Sequence, residues 1–144
     1  MPERLARRSR RGPARAETVE AVHDDLDSLW AEADFVPEVD RMAFTLAVVE
    51  AAANVVDHAI PAAEAALELE VDVTAAPCRL QAKVYEVGAA PVVLDRGAAP
   101  AVEELEESGR GMALIQALVS TVVFERHGDT NVWELRREYH RDQP

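Results

Sequence analysis

A single cysteine, Cys78, stands among the 144 residues, so neither an intramolecular disulfide nor a cysteine-based metal centre can form. Nothing approaches the ~18 continuous apolar residues of a membrane span. The arginine-rich start is not followed by the apolar stretch of a signal peptide. Together these absences imply a soluble chain of a reducing, cytoplasmic compartment, without a membrane partner. Basic residues are scarce beyond the first sixteen positions, where nine bases face 26 acids. A body that acidic argues against nucleic acid as a ligand of the folded surface. The imbalance is reversed in residues 1–16, where six arginines stand beside one acid, Glu3.

The length suits one domain with a sizeable core. Residues 1–13 hold too much charge and too few large apolar side chains to fold alone, and read as a disordered basic arm. Residues 14–144 then form the domain. Val19, Val22, Leu26, Leu29 and Trp30 recur at helical spacing between Ala14 and Ala33. A second helix runs from about Glu38 to Ile60, closed by Pro61. The period then changes to two. Leu67–Val73 and Arg79–Val87 alternate strictly and read as an antiparallel pair. A long Gly-, Pro- and acid-containing connection, residues 88–110, is of the kind that is functional or disordered. A short apolar helix from Met112 to about Ser120 precedes two alternating segments joined at His127-Gly128-Asp129-Thr130, a hairpin signal. The order α-α-β-β-α-β-β implies an α+β fold, with helices on one face of a mixed, mostly antiparallel sheet.

The second helix is apolar round most of its circumference, which implies burial on most sides. Its polar residues Glu50, Asn54, Asp57 and His58 gather in one arc interleaved with alanines. A solvated face would account for such a stripe. A ligand site would as well, because Glu50 and Asn54 lie one turn apart and point into the same volume. A carboxylate there can serve as general base, and an amide oxygen is a hard neutral ligand for Mg²⁺. Downstream, Glu86-Val87-Gly88 ends a strand with a carboxylate and a glycine. That pattern suits close approach of a planar ligand, though a plain strand-terminating turn is the commoner source of it. Gly109-Arg110-Gly111 opens the third helix, where backbone N–H groups, the helix dipole and a guanidinium favour an anion. A loop with an N-cap is the plainer alternative.

With EAAANVVDHA, YEVG, ESGRGMALIQALVS and GDTNVWEL in that order, the chain resembles the GHKL ATP-binding domain. Within that group it is similar to the bacterial anti-sigma-factor serine/threonine kinases, over about residues 17–137. The resemblance implies a two-layer α/β sandwich (the Bergerat fold) that binds ATP and Mg²⁺. It assigns Glu50 as catalytic base and Asn54 as Mg²⁺ ligand. It places Glu86 and Gly88 in the adenine motif, Gly109, Arg110 and Gly111 in the lid, and Thr130 near the adenine. The implied activity is phosphorylation of a serine on an anti-sigma antagonist of the STAS type, together with binding of a sigma factor, and a homodimer is compatible with the family. In the adenine motif the family carries Asp where Glu86 stands, and glycine where Ala90 stands. A second reading follows from that departure: the same fold kept as a protein-binding regulator with weakened or lost nucleotide binding.

Overall fold

The computed structural model describes residues 4–62, 66–92 and 112–140. In chain order the elements are β1 (Ala6–Pro13), α1 (Ala16–Glu32), α2 (Glu38–His58), β2 (Glu68–Ala76), β3 (Arg79–Val87), α3 (Met112–Leu118), β4 (Thr121–His127) and β5 (Thr130–Glu138). The strands form one open sheet in the order β1-β2-β3-β5-β4. All four pairings are antiparallel, so the mixed sheet is not realised among the described residues. The helices pack on one face, giving the expected α+β sandwich. No described helix is long and apolar enough to cross a membrane.

The basic arm is the main correction. Residues 6–13 are strand β1, at one edge of the sheet, paired along its whole length with β2. The disorder expectation took the charges as solvated and the apolar content as too small to anchor the segment. Here the arginines supply the attachment, because the strand lies between two acidic elements. Arg8 and Arg10 stand opposite the core residues Val73 and Val71 and so face α1. Arg8 reaches Glu32 and Ser28, and Arg10 forms a two-pronged pair with Asp25 at 2.8 Å. On the other face, Arg11 meets Glu68 and Glu70, and Ser9 bonds Asp72. The Arg11 hydrogen bond and charge hold the Glu68 carboxyl below its ordinary range, while Asp25 raises Arg10. Long arginine stems cover apolar surface while their heads remain with acids. The acidic partner of the arm is the protein's own body.

Between the layers, α1 contributes Val22, Leu26, Leu29 and Trp30, and α2 contributes Phe44, Val48, Ala51, Ala52 and Val55. The sheet answers with Leu69, Val71, Val73, Leu80, Ala82, Val84, Trp133 and Leu135. Trp30 and Phe44 meet edge to face at 6.4 Å. Burial of a side chain such as Phe44 contributes about 1.5–3 kcal/mol. The expected alternation of β2 and β3 holds throughout, every second residue being buried. The helix α2 departs from expectation. It is not buried on most sides, since Val39, Met42 and Leu46 face solvent. Met42 and Leu46 line a groove of about 680 Å³ with Trp30, Thr45 and Val49. The polar stripe instead sends Asn54 inward.

Two tight turns fix the hairpins. Pro77 and Cys78 join β2 to β3, and Cys78 carries φ +69°. Gly128 and Asp129 join β4 to β5, with Gly128 at φ +59°, a backbone that glycine adopts without steric cost.

Candidate functional site

The site assembles where the C-terminal half of α2 crosses the ends of β3 and β5. Asn54 is buried on the sheet-facing side of α2, and Glu50, one turn earlier, is half-buried. Ala51, Asn54, Met112, Ile115, Trp133 and Leu135 surround a gap between α2, α3 and β5 of about 10 Å³. That is room for one water at most.

Below the gap the sheet carries a buried polar network. Pairing places Glu86 opposite Asn131 and Val84 opposite Trp133. In an antiparallel sheet directly opposed residues share a face, so Asn131 and Trp133 point toward the helices with Glu86. Glu86 is fully buried, and both of its carboxylate oxygens have donors. Asn131 Nδ2 donates to Oε1 at 3.0 Å, and the indole Nε1 of Trp133 donates to Oε2 at 2.6 Å. Asn131 is fixed in turn. Its Nδ2 also donates to the Ala90 carbonyl, and its Oδ1 accepts from Arg126, which reaches the Ala89 carbonyl as well. Every group in this chain is satisfied, the condition under which buried polar residues are tolerated.

Gly88 closes β3 in the left-handed region at φ +76°, a turn backbone that favours glycine. Its N–H donates to the Asp129 carbonyl, and its own carbonyl accepts from Ala62. Ala90 is not left-handed. It donates its N–H to Ile60 at 2.6 Å, so alanine is accommodated without strain. Thr130 does not join the group. It lies opposite Val87, on the other face of the sheet, and its hydroxyl donates to Asp129. The residue on the inner face is Asn131. With a side-chain period of two, a shift of one residue exchanges the faces. Sequence reasoning missed Asn131, Arg126 and the role of Trp133. The pattern of alternate positions counted back from Leu135 carried that signal. Gly109, Arg110 and Gly111 lie outside the described residues.

These features, an antiparallel sheet under two long helices with an acid–amide pair on the second, match a known pattern. A family model described as a histidine kinase-like ATPase domain matches residues 12–137. The chain belongs to the histidine kinase-like ATPase domain family. No curated protein matches the chain. Membership implies ATP as ligand, and the two ends of this ATPase domain's site differ in how well they suit it. At the helix end, Glu50 and Asn54 offer a carboxylate and a neutral amide oxygen one turn apart, a donor set suited to a hydrated hard cation and its phosphates. At the sheet end, the fit to a base fails in the conformation described. The carboxylate is already paired, and the gap holds one water at most.

Proposed function

We propose that this ATPase domain is an ATP-dependent serine kinase acting as an anti-sigma factor. It phosphorylates a serine of a STAS-type anti-sigma antagonist and sequesters a sigma factor, in the cytoplasm. The observation that carries the reading is Glu50 beside Asn54 on α2, with Asn54 buried toward the sheet. Bound Mg-ATP would supply the γ-phosphoryl group and a leaving ADP. The chain's own part is positioning, as phosphoryl transfer asks little covalent chemistry of the protein. The Glu50 carboxylate accepts the proton of the attacking serine hydroxyl. The amide oxygen of Asn54 would hold Mg²⁺, its side chain kept in place by burial. The apolar groove at Met42 and Leu46, along the N-terminal half of α2, supports a protein-binding role.

The test is transfer of labelled γ-phosphate to a STAS-type protein. Label on a serine is expected with wild type and loss is expected with Glu50→Ala. Equal labelling by the variant overturns the assignment of the base. One observation favours a second reading, a regulator that binds protein without nucleotide: the carboxylate of Glu86 is sealed by Trp133 and Asn131. Absence of any Mg-ATP binding, with a sigma factor still captured, would select it.

A further inference from the structure

Trp133 sits where the site meets the sheet. Its indole is buried, donates to Glu86, and leans on Phe124 with ring centroids 4.5 Å apart. Its outer edge lines the gap beneath Ala51 and Asn54. An indole is a fused bicyclic ring of purine size, and its N–H presents to the carboxylate what the exocyclic amine of adenine would present. Size, ring shape and donor therefore coincide at one buried acceptor.

We infer that Trp133 is an internal stand-in for the base and a specificity-determining residue of the nucleotide site. Its indole occupies the acceptor and much of the volume that an adenine requires, so nucleotide binds only as Trp133 is displaced. The inference rests on the reading of Glu86 as the base-recognising group. Asn131 and Arg126 hold Glu86 in place from the far side, so the carboxylate remains where it is when the indole leaves. A 6-amino purine gains from that acceptor, whereas guanine presents a carbonyl oxygen to it and does not.

The test uses the full chain and two probes, Mg-ATP and Mg-GTP, titrated calorimetrically into wild type and Trp133→Phe. The phenyl ring keeps the packing against Phe124 but removes the competing N–H. The expected result is ATP affinity raised by about tenfold in the variant, the equivalent of one modest hydrogen bond, with no gain for GTP. Equal ATP affinity in the two proteins overturns the inference, as does an equal gain for both nucleotides. A second measurement leaves Trp133 in place. In Trp30→Phe, saturation with Mg-ATP should shift the remaining tryptophan emission to the red as the indole leaves the core. Saturable binding without that shift overturns the inference while leaving the kinase reading intact. Absence of binding by both wild type and Trp133→Phe overturns both.

Discussion

Glu86→Gln tests the buried network through stability. The substitution keeps the shape of the side chain but replaces one acceptor oxygen by an NH₂ donor. In the native arrangement both oxygens face N–H groups, Asn131 Nδ2 at 3.0 Å and Trp133 Nε1 at 2.6 Å. One of those donors must therefore meet another donor. Asn131 cannot turn its amide to help, because its Nδ2 also serves Ala90 and its Oδ1 accepts from Arg126. Trp133 has no alternative orientation of its single N–H. The cost combines a lost bond to a carboxylate with a stranded buried donor, about 2–5 kcal/mol in total. Against a domain stability of about 5–15 kcal/mol, that is a large fraction. Equilibrium urea unfolding should show the midpoint falling by about 1–2 M at constant slope. In a double-mutant cycle with Trp133→Phe, the two losses should be less than additive, with a coupling of about 0.5–3 kcal/mol. A loss for Glu86→Gln below ~1 kcal/mol, the lower end of a bond's net worth, would refute the network, as would strict additivity.

Other outcomes follow from the same geometry. Asp40, buried at the start of α2, accepts from Arg137 at 2.9 Å, and Arg137 also reaches the Leu118 carbonyl. Asp40→Ala strands that guanidinium beneath three elements, and should cost about 2–4 kcal/mol in chemical unfolding, less than a fully buried pair because Arg137 keeps some contact with solvent. Cys78 is left-handed at φ +69° in a two-residue turn. Cys78→Gly should therefore raise stability by about 0.5–1 kcal/mol, seen as a melting temperature higher by roughly 2–4 °C. Burial first, and the charges of Asp72 and Glu70 next, push the Tyr85 phenol above its ordinary range. The folded state then keeps that proton longer than the unfolded chain does. Stability from this group is full below about pH 10 and falls as pH rises beyond it. Tyr85→Phe should flatten the alkaline limb of a stability–pH curve.

Much of the architecture was legible because burial and period agree. The alternation of β2 and β3 set their inner faces, and the recurrence of Val22, Leu26 and Leu29 set the inner face of α1. The strand β1 was not legible, since its attachment lies in ion pairs to residues 15 to 59 positions away, such as Asp25 and Glu70. No local window contains them. The helix α2 misled for a different reason. Alanine counts as apolar on either side of a helix, so composition did not reveal that Met42 and Leu46 face outward and Asn54 inward. At the site, Glu50 and Asn54 could be grouped from helical geometry alone, and Gly88 could be read as the turn that closes a strand. The neighbours of Glu86 could not, because register decides which of Thr130 and Asn131 faces it, and register is a tertiary property.

If Trp133 fills the base end of the site, Mg-ATP must displace it to bind, and that cost shows in the affinity. A calorimetric titration of the wild-type chain with Mg-ATP tests it most directly. The expected result is saturable but weak binding, roughly in the millimolar range, with thermal stabilisation to match. Absence of heat and of stabilisation at millimolar nucleotide would contradict the kinase reading, and tight binding with Trp133 unmoved would contradict the filled site.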